Sequence, residues 1–229
     1  MNELALLVDL YRHGRRQGLG GNEGTPLAIT LSGLRGRSGL RIADVGCGTG
    51  ASTLVLAREL DGTVTAVDYL PEFLEQLDAT AEEKRLSSRI ETLAASMEEL
   101  PFEDRSLDAI WSEGAIYNMG FEKGVRSWSR HIKPGGILAV SELTWLTRQR
   151  PLQEHWMHEY PEVATASTKL AILEASGFSP IGYFPLPDRC WLDHYYGPLR
   201  ERFEDFLERH AHSDAATALV TAEEREIDL

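Results

Sequence analysis

Hydrophobic and polar positions recur along the chain in two periods. Leu4, Leu7, Val8 and Tyr11 fall at helical spacing, so an amphipathic helix is predicted over residues 4–11. The glycines of residues 15–22 predict a loop. Thr25-Pro26 then reads as a helix start, with the helix ending near Gly33 to Gly39. Further on, short apolar runs alternate with helical patterns. Strands are predicted at residues 40–45, 63–67, 89–94, 107–111 and 137–140. Helices are predicted at 51–60, from Pro71 through Leu77, and at 125–132, the last stopped by Pro134-Gly135-Gly136. Strands alternating with helices imply βαβ units. The expected fold is α/β, a doubly wound, Rossmann-like, mostly parallel sheet with helices on both faces.

After Glu142 the pattern changes. Residues 143–162 are rich in Trp, His and Glu, and Pro151 and Pro161 interrupt them. A helix is predicted at 167–175, a sixth strand at 181–184, and an irregular aromatic stretch at 185–198. Leu199, Phe203, Phe206 and Leu207 share one face of a C-terminal helix running over 199–229. The expected organisation is a single domain: an N-terminal helical lid at 1–37, an α/β core at 38–142, and the rest of the sheet with an aromatic-rich C-terminal cap at 143–229.

Composition narrows the function. Over 229 residues, 42% are hydrophobic and 26% charged, as in an ordinary globular protein. The net charge of −13 disfavours nucleic acid and anionic membrane surfaces as partners, because phosphate contacts need Lys and Arg. Two cysteines, Cys47 and Cys190, exclude a disulfide framework, and a cytoplasmic setting is expected. His155 and His158 are three apart and could share a helix face, but no third ligand stands at a persuasive spacing, so no metal is expected.

The chemistry concentrates at Asp44-Val45-Gly46-Cys47-Gly48-Thr49-Gly50, where three alternate glycines follow a strand and precede a helix. Glycine lets the backbone turn sharply and lets a ligand approach without a Cβ in the way. The G-x-G-x-G spacing differs from the G-x-G-x-x-G of a dinucleotide site. Asp68 closes the second strand, where a carboxylate can accept both ribose hydroxyls of an adenosine.

With these residues the chain resembles the class I S-adenosylmethionine-dependent methyltransferases. Residues 44–50 are similar to their first motif and Val67-Asp68-Tyr69 to the second. Residues 95–102 resemble the stretch after their third strand, 107–111 the fourth strand, and Lys133-Pro134-Gly135-Gly136 the turn before the fifth. The resemblance spans about residues 38–142 and is closest to the small-molecule branch that includes ubiquinone and menaquinone biosynthesis enzymes. The stretch from Trp111 to Asn118 also resembles an uncharacterised bacterial subgroup of that branch. The resemblance implies S-adenosylmethionine as cofactor and S-adenosylhomocysteine as product. Asp44, Gly46, Cys47, Gly48 and Thr49 would surround its methionine part, Asp68 the ribose, Tyr69, Ser96 and Met97 the adenine, with Ser112 and Glu113 near the sulfonium. The family usually closes its sheet with a seventh, antiparallel strand, for which residues 199–229 offer no pattern.

Methyl transfer is an in-line displacement and needs a base only when the nucleophile carries a proton. The acceptor is expected to be a small molecule, an amine or an aromatic or hydroxyl compound, with a homodimer as one option for assembly. Glu113 is the favoured acid or base, with His194 and Tyr117 behind it. Asn118, Glu142, Trp145, His155, Trp156, His158, Tyr160, Trp191, Tyr195 and Tyr196 are candidates for the substrate side, since aromatic faces with carboxylates suit cations or flat rings. The rival readings are a cofactor-binding protein without turnover, a nicotinamide-dependent oxidoreductase, and a methyltransferase of macromolecules.

Overall fold

The structure is a computed structural model that describes residues 2–18, 20–21, 23–147 and 153–228. Asn22 of the predicted loop and the side chain of His155 lie outside the described set. Five strands form one parallel sheet: β1 (Leu40–Val45), β2 (Gly62–Asp68), β3 (Ile90–Ala94), β4 (Leu107–Ser112) and β5 (Ile132–Val140), in the order β3-β2-β1-β4-β5. Successive strands step outward from β1 in one direction and then from β4 in the other. The switch point therefore lies between β1 and β4, where open α/β sheets bind ligands at their carboxyl ends.

Alternation along the strands sorts the core into two layers. Leu40 and Ile42 of β1 and Ala109 and Trp111 of β4 face one side, with Ile29, Leu56, Leu74 and Leu77. Those partners come from α2 (Gly24–Ser32), α3 (Ala51–Glu59) and α4 (Pro71–Glu83). Ala43, Val45 and Ile110 face the other side, under Phe121, Val125 and Trp128 of α5 (Phe121–Ser129). Trp111 and Trp128 are completely buried, one in each layer.

A third cluster lies over α4. It joins Leu6, Val8, Leu10 and Tyr11 of α1 (Glu3–Tyr11) to Phe73, Leu199, Phe203, Phe206, Ala216 and Val220. The last five belong to a helical run after residue 188: α8 (Arg189–Trp191), a π-turn at Leu192–Tyr196, α9 (Gly197–Arg200), α10 (Phe203–Arg209) and α11 (Asp214–Ile227). Between the sheet and this run lie α6 (Gln153–Glu159), α7 (Ala166–Ala175), and a two-residue parallel pair, β6 (Thr144–Trp145) with β7 (Ala164–Thr165).

Four expectations are corrected. The helix predicted at 125–132 starts earlier and ends at Ser129, and β5 begins at Ile132 rather than Ile137, running through Pro134-Gly135-Gly136. β5 is an edge strand, so the missing Pro134 N–H costs no ladder bond. A register shift between Leu107 and Ala109 absorbs the extra residues. Residues 181–184 form no strand: they run between Pro180 and Pro185 with Ile181 and Tyr183 exposed, and proline cannot donate to a ladder. Residues 189–198, expected to be irregular, are helical with a π-turn. The single helix expected over 199–229 is three, interrupted at 201–202 and again where Ala211 and His212 take positive φ.

Candidate functional site

The glycine segment forms the turn from β1 into α3. Gly46, Gly48 and Gly50 all have positive φ, a region that costs other residues about 1–2 kcal/mol. Space is as restrictive as conformation at Gly46, where a Cβ would stand 2.3 Å from Ala115 Cβ. The turn is pinned from below. The Gly46 and Cys47 amides both donate to the Val67 carbonyl, at 2.8 and 3.1 Å. The Gly48 amide donates to Asp68 Oδ2 at 2.8 Å, and the Thr49 amide to Gln17 Oε1 at 2.8 Å.

Asp68 thus has two tasks. Its Oδ1 accepts from the Leu70 amide at 3.0 Å, so each oxygen has taken one backbone bond and keeps acceptor capacity. Burial pushes its pKa up, and the amides of Leu70, Gly48 and Tyr69 pull it back. Asp44 lies beneath the turn, fully buried. Its Oδ2 accepts from Thr53 Oγ1 at 2.6 Å and Ser52 Oγ at 2.8 Å, while Oδ1 has no partner among the described residues. Burial raises its pKa to about 7 against the pull of the two hydroxyls.

The N-terminal loop closes over this turn. Gln17 Nε2 donates to the Tyr11 and Gly14 carbonyls, and its Oε1 also lies 3.0 Å from the Thr49 hydroxyl. Arg16 pairs with Glu113 Oε2 at 3.2 Å. Glu113 Oε1 accepts from Thr25 Oγ1 at 2.7 Å and Trp111 Nε1 at 2.9 Å. Three donors on one carboxylate make Glu113 an anchor that ties loop, helix and strand together.

These parts surround one cavity of about 590 Å³ at the carboxyl ends of β1, β2 and β4. Of the predicted site residues, Gly46, Cys47, Gly48, Asp68, Tyr69, Ser96, Met97, Glu113, Tyr117, Asn118 and Tyr195 line it. Others are placed elsewhere. Asp44, Thr49 and Ser112 are buried behind the wall. Glu142 is buried against Lys169 at 3.4 Å, with the Lys169 ammonium over the Phe121 ring. Trp191 packs on Trp156 and Tyr196, Tyr160 on Tyr117 and Trp156, and Trp145 pairs in β6. His158 is exposed, and His194 is wedged against Gly21, whose added Cβ would meet its Nδ1 at 3.0 Å. Trp156, Tyr160, Trp191 and Tyr196 pack on one another beside the cavity, and of that aromatic stretch Tyr195 reaches the lining.

Tyr11, Arg16, Gln17, Phe73 and Glu223 also line the cavity and were not among the predicted site residues. For Glu223 a signal exists: Ala216, Val220 and Ile227 form the inward stripe of α11, and Glu223 is the charge on it. Among the described residues no group of three or more His, Cys, Asp and Glu could hold a metal, and no helix is long and apolar enough to cross a membrane.

An open carboxylate at the end of β2, a glycine turn whose Gly46 and Gly48 line the cavity, and flanking Tyr69 and Met97 fit an adenosine bearing an amino-acid tail. The cavity lies in the size range of small-molecule sites. These are features expected of a class I S-adenosylmethionine-dependent methyltransferase, and a family model described as a methyltransferase domain matches residues 42–136 of the chain. Among its relatives is the ubiquinone/menaquinone biosynthesis C-methyltransferase UbiE of Geobacter sp., 32% identical over 58% of this chain and 56% of that protein. The chain thus spans little more than half the length of that relative. Two solved structures share the fold. One is a SAM-dependent methyltransferase from Geobacter sulfurreducens in complex with S-adenosylhomocysteine (TM-score 0.82, 18% identity, 97% of this chain and 89% of that one). The other is the [4+2]-cyclase SpnF (TM-score 0.72, 22% identity, 98% and 87%). S-adenosylmethionine is the cofactor of the family.

Proposed function

We propose that the protein transfers a methyl group from S-adenosylmethionine to a small-molecule acceptor. The observation that carries this reading is the shared cavity of the glycine turn, Asp68 and the Tyr69–Met97 flank. When bound, the cofactor supplies a methyl carbon that forms a bond to the acceptor as its carbon–sulfur bond breaks, the electron pair passing to sulfur. The protein's share is to bind, align and keep water out. Asp68 holds the ribose hydroxyls. Gly46 and Gly48 allow the amino-acid tail close to the backbone, Tyr69 flanks the adenine, and Ser96 and Met97 border its edge. Arg16 and Gln17 fasten the loop that covers the turn. Glu113, paired with Arg16 and accepting from Thr25 and Trp111, positions the loop in this reading and is not assigned the role of base. Tyr117, Asn118 and Tyr195 face the acceptor. His194, packed against Gly21, takes no part in this reading.

The second reading is a site of the same geometry that binds the cofactor and transfers nothing. Calorimetric titration with S-adenosylmethionine, S-adenosylhomocysteine and NAD tests both. The sulfur cofactors are expected to bind and NAD is not. Release of S-adenosylhomocysteine across a panel of amines and aromatic hydroxyls then separates methyl transfer from mere binding; binding of NAD alone would refute both readings.

A further inference from the structure

The wall opposite the glycine turn carries an unclaimed carboxylate. Glu223 is half-buried on the inward stripe of α11 and lines the cavity with Tyr11, Tyr117 and Tyr195. Tyr11 and Tyr195 stack with centroids 6.5 Å apart, and the Tyr195 hydroxyl donates to the Tyr11 hydroxyl at 3.4 Å, on the same cavity wall as Glu223. Among the described residues no lysine or arginine pairs with the Glu223 carboxyl: Glu226 adds a second carboxylate beside it, and Arg202 acts on Tyr11 and Tyr195. A carboxylate in a partly dry wall without a cation is costly until a ligand supplies one. The rest of the lining agrees. Among the described residues its carboxylates are Asp68, Glu98, Glu113 and Glu223, against the single guanidinium of Arg16, which Glu113 already neutralises. Such a cavity repels acids and gathers cations. Tyrosine faces add attraction for an ammonium, and Leu4, Leu7 and Phe73 offer an apolar surface for the body that carries it.

We infer that the acceptor is a basic amine on an apolar body, held at its ammonium by Glu223 within the Tyr11–Tyr117–Tyr195 wall and methylated on nitrogen. This rests on the cofactor reading above. The ammonium gives one proton to the Glu223 carboxylate. The freed nitrogen lone pair forms the nitrogen–carbon bond, and the carbon–sulfur pair leaves on sulfur.

The test is calorimetry with the full chain saturated with S-adenosylhomocysteine, using 2-phenylethylamine and its hydroxyl isostere 2-phenylethanol as probes. The wild type should prefer the amine by about ten-fold or more, the worth of one hydrogen bond to a charged partner. Glu223→Gln should erase that preference and leave the affinity for S-adenosylhomocysteine unchanged. If Glu223→Gln fails to fold, Glu223→Asp, which withdraws the carboxylate by one methylene, must weaken the preference instead. Equal binding of amine and alcohol, no amine binding, or a preference that survives the substitution overturns the inference while the cofactor reading stands. Failure of S-adenosylhomocysteine to bind the wild type brings down the cofactor reading, and the inference with it.

Discussion

Replacing Asp68 by alanine removes two acceptors at once, and the structure sets the size of both effects. In the free protein the loss strands the Gly48 amide, which is buried in the turn and bonded at 2.8 Å, whereas the half-exposed Leu70 amide can turn to water. One unpaired buried donor costs about 1–2 kcal/mol. For a chain of this length that lowers the melting midpoint by roughly 3–6 °C. In the complex, two ribose hydroxyls lose a carboxylate. At the low end for charged partners, appropriate to a half-exposed group, that is about 3 kcal/mol, or about a hundred-fold in Kd. Calorimetric titration with S-adenosylhomocysteine and scanning calorimetry should be run on wild type, Asp68→Ala and Asp68→Asn. Asparagine keeps one acceptor oxygen and should fall between the other two. An Asp68→Ala protein that melts lower, yet binds within about three-fold of wild type, would show that Asp68 only braces the turn.

Asp44 gives a pH signature. Its folded pKa of about 7 lies above the ordinary 3.8, so between those values the folded protein holds a proton that the unfolded chain releases. Stability then falls as pH rises from about 4 to 7 and levels off above, with a ceiling of about 4 kcal/mol; urea midpoints of wild type against Asp44→Asn should show that slope only in the wild type. Gly46→Ala should cost about 2–4 kcal/mol, from positive φ and the clash with Ala115, and block cofactor binding. Adding Ala115→Gly should recover the clash portion alone, as read by thermal melts and titration. Lys169→Met should cost about 3–5 kcal/mol because Glu142 is left buried without its cation. The double variant with Glu142→Leu should regain most of that in denaturant unfolding.

The parts of the fold written in local pattern were readable before any coordinates. The glycine turn, Asp68 at a strand end and the alternation of the five core strands each depend on neighbours in sequence. What escaped depended on distant partners. Lys133-Pro134-Gly135-Gly136 has turn chemistry, and only its place on the sheet edge lets it be strand. Residues 181–184 have strand composition, and flanking prolines leave them without a ladder. In the site, Glu113 has the type and position of a base, but Thr25 and Arg16, far off in sequence, engage both of its oxygens. Tyr11 looked like a core residue of an amphipathic helix and is also one, with its edge in the cavity.

The cavity roof is held by contacts between the two ends of the chain. Asp9 of α1 meets Arg209 and His210 of α10, residues 200 and 201 positions away, and the apolar contacts beneath them span similar separations. Contacts that close such long loops form late, after the βα units have assembled on their neighbours. The same contacts can be lost first, because no strand of the sheet depends on them. Opening the cavity on that side then needs α1 to part from α10 and α11 and the Arg16 and Gln17 bonds to let go, and amides of α1 should exchange with solvent well before those of β1 and β4.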